Sequence, residues 1–205
     1  RSGPTNQLYN LISLLDPLVF SPSIVTLSSE PKDTRWGDFE NLKITLTSLN
    51  LGRVTSLIYG KHQLSRLVGT FHTDILHSQG FRADYVNSIF GNLSARVVTQ
   101  RNNPFVDYPM YYGKPLGLVM ANTHFRILKK IPHVVACSET LRNFNVQKGL
   151  NTYAIQNGVL NNDIGEIPSN QQKLDARKQL GLPLNSLLFI WAGPLISRKM
   201  PDHVI

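Results

Sequence analysis

Short apolar runs that stop abruptly in polar, glycine or proline residues constrain the fold of this chain more than any other feature. Four of them follow one another between Asp74 and Gly158, and they stop at His-Ser-Gln-Gly (77–80), Gln-Arg-Asn-Asn-Pro (100–104), Cys-Ser-Glu (137–139) and Gln-Asn-Gly-Val (156–159). A parallel strand buried on both faces has this pattern, and open α/β sheets bind ligands at the carboxyl ends of such strands. The pattern therefore predicts a ligand site assembled at one edge of a sheet.

Stretches with helical periodicity alternate with these runs. Helices are predicted over 4–15, 54–69, 82–90, 114–131 and 138–148, and strands over 24–27, 42–49, 75–77, 96–99, 134–137 and 153–155. The longest helix is expected to turn an apolar stripe inward, formed by Leu116, Met120, Ile127 and Ile131. The segment between the strand at 96–99 and this helix is interpreted as a loop. Strands alternating with helices imply right-handed crossovers, so the predicted fold class is α/β with a doubly wound, mostly parallel sheet.

The character of the sequence changes after Val159. The polar stretch 161–170 is interpreted as a linker, 171–180 as a short helix, and the apolar run 187–193 as a strand that begins a second domain. The expected organisation is one domain over 1–160, the linker over 161–170, and the start of a truncated second domain over 171–205.

Composition narrows the classes of protein that remain. A hydrophobic content of 41% and a charged content of 17% suit a globular protein with a substantial core. The net charge of +8 comes without basic clusters interleaved with aromatic residues, which argues against a nucleic-acid partner. It favours a diphosphate-bearing ligand or an anionic membrane surface, with an ordinary basic surface as the alternative. The single cysteine, Cys137, excludes an internal disulfide, indicates a reducing compartment and is interpreted as a buried apolar residue.

No cofactor signature accompanies the strand ends. The chain has no Gly-x-Gly-x-x-Gly, which argues against a dinucleotide-binding Rossmann domain. His72 and His77 have no third ligand at a credible spacing, so a metal site is not expected.

The candidate cleft residues follow the predicted strands. They are His77, Gly80 and Arg82 after the first run, Arg101, Asn102, Asp107 and Tyr108 after the second, and Ser138 and Glu139 after the third. Each also has a structural interpretation, because a strand-end histidine can be held by a hydrogen bond, an arginine can brace a loop, and a serine can cap a helix. Gly3 and Pro4 open the first helix, whose amino terminus favours an anion.

In this order, the motifs resemble the amino-terminal acceptor domain of family 4 glycosyltransferases of the GT-B fold. The resemblance implies a Rossmann-like acceptor domain that lacks its first strand over 1–160, followed by the first elements of the nucleotide-sugar domain. It implies donor binding by Gly3 and Pro4 and by Arg198 and Lys199, which follow an apolar strand as the family lysine does. Arg101 stands where many relatives carry an active-site histidine, and Pro194 where they carry an arginine.

The activity implied by the resemblance is transfer of a sugar, with retention, from a nucleotide-diphosphate sugar to a glycan or lipid-linked acceptor without a metal. Such enzymes build surface polysaccharides or glycolipids in the cytoplasm, in some cases at the inner face of the membrane. The paired catalytic glutamates are expected beyond Ile205, so this chain alone is expected to be inactive. The alternatives are a non-catalytic carbohydrate- or lipid-binding module of the same fold and a sugar-nucleotide epimerase.

Overall fold

The chain forms an α/β structure in which every paired strand is parallel to its neighbour. The computed structural model describes residues 3–31, 33–91, 95–160, 165–190, 192–193 and 202. Its elements are, in chain order, α1 (Gly3–Ser13), β1 (Ser23–Thr26), α2 (Trp36–Glu40), β2 (Thr45–Ser48), α3 (Thr55–Thr70), β3 (Ile75–Ser78), α4 (Phe81–Ser88), β4 (Ala95–Gln100), α5 (Pro104–Tyr112), α6 (Lys114–Leu128), β5 (His133–Ala136), α7 (Glu139–Gln147), β6 (Tyr153–Ala154) and α8 (Asn170–Gln179).

The strands of the described residues form two parallel sheets. One has the order β1-β2, and the other has the order β3-β4-β5-β6. In the larger sheet each strand pairs with the next strand along the chain, and helices make the crossovers. The predicted fold class is confirmed, since this arrangement is consistent with a Rossmann-like, doubly wound fold.

The main core lies between the larger sheet and α6. Val98 of β4 and Val134 of β5 pack there with Phe125 and Leu128 of α6, and all four are buried. Because successive residues of a strand point to opposite faces, burial of these two valines leaves Val97, Thr99 and Val135 on the other face. The sheet therefore has one face closed by helices and one face available for a site.

A second apolar cluster connects the two sheets. Leu64 of α3 and Val86 of α4 are buried in it, and Leu27, which follows β1, and Leu76 of β3 pack against them. Arg82 strengthens this junction by donating hydrogen bonds to Ser28 Oγ at 2.8 Å and Ser56 Oγ at 3.3 Å. The two sheets are thus joined by side chains under α3 and α4.

The segment after β4 differs from the prediction, because it is a helix and not a loop. The Asn103 side chain accepts a hydrogen bond from the Phe105 amide and caps α5, and Pro104 takes the first turn, where no amide is needed. Pro109 lies inside this nine-residue helix. Proline usually breaks helices, so the sequence pattern pointed away from the structure that forms.

Two further expectations are wrong. Leu116 is 54% exposed, because α6 turns toward the core only from Gly117 onward. The apolar run expected to form a strand at 187–193 forms none over its described part, 187–190. Leu187, Phe189 and Ile190 are all exposed there, and a strand that does not pair leaves its backbone groups to solvent.

The chain divides into two compact units, residues 1–160 and 161–205. The described part of the second unit contains α8, which starts with a capping box. Ser169 Oγ accepts from the Gln172 amide at 3.2 Å, and Gln172 Oε1 accepts from the Ser169 amide at 2.8 Å. Arg177 then donates to three carbonyls after the helix, those of Pro183, Leu184 and Ser186. This unit is therefore held by local contacts.

Candidate functional site

A cavity of about 350 Å³ lies on the open face of the larger sheet. Its floor consists of side chains that point away from the α6 core, as the alternation along the strands requires: His77 of β3, Val97 and Thr99 of β4, and Val135 of β5. Its remaining walls come from one side of α1 and from the segment 155–160 after β6. All of these residues belong to the first unit.

Helix α1 is fixed over the cavity at both of its sides. Gln7 Nε2 donates to the Gly158 carbonyl at 2.9 Å, which joins the helix to the end of the unit. The ring of Tyr9 meets Phe39 of α2 edge-on at 5.5 Å and carries the Arg35 guanidinium on its face at 3.9 Å. The cavity walls contributed by α1 therefore depend on two separate anchors.

His77 forms the polar centre of the cavity floor. Its Nε2 lies 2.7 Å from Thr99 Oγ1 on the neighbouring strand. Although the residue keeps part of its surface open to solvent, partial desolvation and, second, the nearby Arg101 cation lower the pKa of His77 below its usual value. The imidazole is therefore neutral at pH 7, with one ring nitrogen free to accept or donate a hydrogen bond.

Arg101 connects the carboxyl ends of three strands. Its Nε donates to Gln79 Oε1 at 3.3 Å after β3, and its Nη1 donates to Asn157 Oδ1 after β6. The Cys137 thiol, which follows β5, donates to the Arg101 carbonyl at 3.4 Å. Desolvation lowers the pKa of Arg101, but a guanidinium still keeps its proton at neutral pH. Arg101 can hold an acceptor oxygen in the cavity; it cannot serve as a base.

The structure brings two of the predicted site residues into the cavity, His77 and Arg101. The others lie outside its lining. Gly80 precedes α4 with a φ of 96°, Arg82 faces the smaller sheet, Asn102 is exposed in the turn before α5, and Asp107 is buried in α5. Ser138 caps α7 by accepting from the Leu141 amide at 3.2 Å, Glu139 is exposed in the first turn of α7, and Gly3 and Pro4 are exposed at the start of α1. Arg198 and Lys199 lie outside the described residues.

Tyr108 lies on the opposite side of the sheet from the cavity. Its hydroxyl is 2.8 Å from His124 Nδ1, and its ring stacks on that imidazole. His124 Nε2 is 2.9 Å from Asp84 Oδ2, and Asp84 Oδ1 accepts from Ser78 Oγ at 2.7 Å. All of these partners of Tyr108 are buried. Burial, followed by the Asp84 charge, raises the pKa of Tyr108, so the hydroxyl keeps its proton and donates to the histidine.

Sequence reasoning missed the polar groups that complete the cavity. Gln7 and Asn10 lie one turn apart on α1, Thr99 lies two residues before Arg101, and Asn157 was interpreted only as part of a turn. The spacing of Thr99 from Arg101 contained a usable signal, because residues two apart on a strand share a face. The α1 residues carried none, since their pairing with the segment 155–160 spans almost the whole unit.

Two searches of the described residues gave negative results. Within these ranges, no group of three histidine, cysteine, aspartate or glutamate side chains is placed to hold a metal ion. None of the helices in the part of the chain that the structure describes is long and apolar enough to cross a membrane.

Comparison with known proteins identifies no relative of this chain. No family model, no curated protein and no solved structure matches it significantly. The site must therefore be interpreted from its own geometry and from the motifs of the sequence.

Proposed function

We propose that the first unit is the acceptor-binding half of a glycosyltransferase, and that the cavity beneath α1 binds the sugar of a glycan or lipid-linked acceptor. The observation that carries the proposal is the convergence of His77, Arg101 and Asn157, from the ends of three parallel strands, on one cavity of about 350 Å³. Ligands of α/β sheets bind at this edge. The volume lies near the lower end of the about 300–1,000 Å³ typical of small-molecule sites.

The polar lining suits a polyhydroxylated ligand. Apart from Arg101, the polar side chains are uncharged: the amides of Gln7, Asn10, Gln156 and Asn157, the Thr99 hydroxyl and the His77 imidazole. Amides and hydroxyls each donate and accept, as sugar hydroxyls do. The hydrogen bonds that these groups offer match a neutral sugar better than a strongly charged metabolite.

The apolar lining favours an acceptor that carries a lipid. Leu11 and Leu14 of α1, Val135 of β5 and Ile155 and Val159 after β6 line the same cavity. Burial of apolar ligand surface against them contributes about 25 cal/mol per Å². A lipid-linked sugar would place its hydroxyls near His77 and Arg101 and its first apolar carbons near these side chains.

The resemblance to family 4 glycosyltransferases supplies the remaining parts of the proposal. The donor would be a nucleotide-diphosphate sugar, transferred with retention and without a metal, and Arg198 and Lys199 would neutralise its diphosphate. The reaction would take place in the cytoplasm, at the inner face of the membrane, in the synthesis of a surface polysaccharide or glycolipid.

A non-catalytic carbohydrate- or lipid-binding module is the second candidate. One observation favours it: among the described residues that line the cavity there is no aspartate or glutamate. General acid–base chemistry on sugars commonly uses such carboxylates. The two candidates predict the same binding and differ only in turnover.

Binding is tested by titrating the chain with a panel of oligosaccharides and detergent-solubilised glycolipids. Arg101→Gln should weaken binding about 10–100-fold, because a hydrogen bond to a charged group contributes about 1.5–3 kcal/mol. Arg142→Gln is the matched control, since Arg142 is exposed on α7 and makes the same change in net charge. Failure to bind any member of the panel, or equal affinity in both variants, would contradict the proposed site.

Turnover is tested with the full-length protein and nucleotide sugars. Transfer to a bound acceptor supports the glycosyltransferase, and groove-specific acceptor binding without transfer supports the module. Interconversion of free nucleotide sugars in the absence of an acceptor would identify an epimerase and overturn the main proposal.

A further inference from the structure

A second, separate site lies among the helices of the first unit. An open groove of about 400 Å³ is lined by Asn122, Arg126 and Lys129 of α6 and its end, by Lys148 at the end of α7, and by the rings of Phe105 and Phe125. We infer that this basic groove, defined by those six residues, binds a phosphate group. The inference does not depend on the function proposed for the cavity beneath α1.

The groove carries three positive charges and no negative side chain. Its cations are Arg126, Lys129 and Lys148, and none of its lining residues is acidic. The sequence of α6 contains no aspartate or glutamate, and that of α7 contains only Glu139, in the first turn at the far end of the helix. Among the described residues, neither ion pair involves any of the three cations.

A simpler explanation assigns these cations to helix stabilisation. Lys129 and Lys148 are the residues at which α6 and α7 end, and a cation there interacts favourably with the helix dipole. Each helix carboxyl terminus contributes about −0.5 of an elementary charge, so two of them offset about one of the three cations. About two positive charges remain, which matches a phosphate monoester close to its dianionic state.

The aromatic floor holds the cations in position before a ligand arrives. Lys148 Nζ lies 4.6 Å from the centre of the Phe105 ring and 5.4 Å from that of Phe144, and Lys129 Nζ lies 5.5 Å from that of Phe125. Cation–π contacts of this kind restrict long side chains that would otherwise move freely. Placing two ammonium groups in advance lowers the ordering cost of binding an anion between them.

The groove differs in chemistry from an ordinary basic surface because its cations converge on one concave volume. Arg126 can donate two parallel hydrogen bonds to a phosphate, and the lysines act as point charges. The phosphate could belong to a soluble phosphorylated molecule or to a lipid headgroup. Both share the chemistry proposed here.

Binding is measured with inorganic pyrophosphate by calorimetry, and with phosphatidylcholine vesicles with and without phosphatidic acid by co-sedimentation. Lys129→Gln/Lys148→Gln should weaken binding at least about tenfold, because each lost charge-assisted hydrogen bond contributes about 1.5–3 kcal/mol. The matched control is Lys61→Gln/Arg66→Gln, which removes two charges from exposed positions on α3. The control should change binding by less than about twofold, because distant surface charges act only through a screened field.

A further variant guards against damage to the helix ends. Arg126→Gln leaves both terminal lysines in place and should also weaken binding, while its circular dichroism spectrum stays unchanged. Arg101→Gln should bind pyrophosphate as tightly as the unmodified chain, which separates the groove from the cavity beneath α1.

The outcomes separate the two sources of phosphate. Loss of pyrophosphate binding in the groove variants supports a soluble ligand, and loss of binding to acidic vesicles alone supports a lipid headgroup. The inference is overturned if neither probe binds, or if the control pair weakens binding as much as the groove pair.

Discussion

Replacement of His124 should reveal how much stability resides in the buried chain of hydrogen bonds from Ser78 to Tyr108. The Asp84 carboxylate is 1% exposed and His124 is 3% exposed, and each carboxylate oxygen has one side-chain partner. His124→Leu keeps a similar volume against the Phe81 ring, 5.2 Å away, but leaves Asp84 Oδ2 without its donor. A charge stranded in this way is strongly unfavourable, because the folded interior cannot replace the lost water.

The expected loss is about 3–5 kcal/mol, the range measured when one partner of a buried ion pair is removed. A typical domain is stable by only about 5–15 kcal/mol, so the variant should retain a small margin. In urea, with a slope of about 2 kcal/mol per M, the unfolding midpoint should fall by about 2 M. The assay is equilibrium unfolding followed by circular dichroism.

Two comparisons make the result interpretable. Thr123→Leu alters the exposed neighbouring residue on α6 and should change stability by no more than about 0.5 kcal/mol. Asp84→Asn, added to His124→Leu, removes the stranded charge and should restore part of the loss. If His124→Leu unfolds at the same urea concentration as the Thr123 control, or if the second substitution restores nothing, the reasoning about a buried charge is wrong.

Three other substitutions test separate parts of the structure. Gly117→Ala should lose about 1–3 kcal/mol in thermal or urea unfolding, since a Cβ there would overlap the Pro109 backbone, whereas Gly69→Ala, with open space around it, should be neutral or stabilising. Ser138→Ala should lose about 1 kcal/mol through the lost cap of α7, and an unchanged midpoint would contradict that role. Because the pKa of His77 is lower in the folded state, unfolding takes up a proton below pH about 6.5, so stability should decrease as the pH falls through that region. His77→Gln should flatten this dependence in urea unfolding at pH 7.5 and 5.5; an unaltered slope would exclude His77 as its source.

The sequence predicted the strands well, because each is a short apolar run bounded by polar residues. The run after Asp74 became β3, and the run before Arg101 became β4. Helix α5 was missed because Pro104 and Pro109 both suggested a loop, whereas the first suits a helix start and the second is tolerated within the helix. Local rules cannot weigh one proline against the packing of α5 on α6.

The candidate site was predictable only in part, for a related reason. His77 and Arg101 follow from the rule that strand ends gather ligand groups, and the structure places both in the cavity. Tyr108 was assigned to the same edge because it follows the same strand, but the helical turn of α5 directs it to His124. The contribution of α1 requires knowledge of which distant segments meet, and periodicity along the chain does not contain it.

The contact between Gln7 and Gly158 bears on the order in which the unit assembles. It joins residues 151 positions apart, whereas each strand of the larger sheet pairs with its successor in the chain. Bringing together such distant segments costs more chain entropy than pairing successive strands, so α1 should dock after the sheet has formed. During synthesis on the ribosome, the enclosed pocket would then become competent only after almost all of the first 160 residues have emerged. A nascent chain would acquire its scaffold early and its capacity to recognise a ligand last.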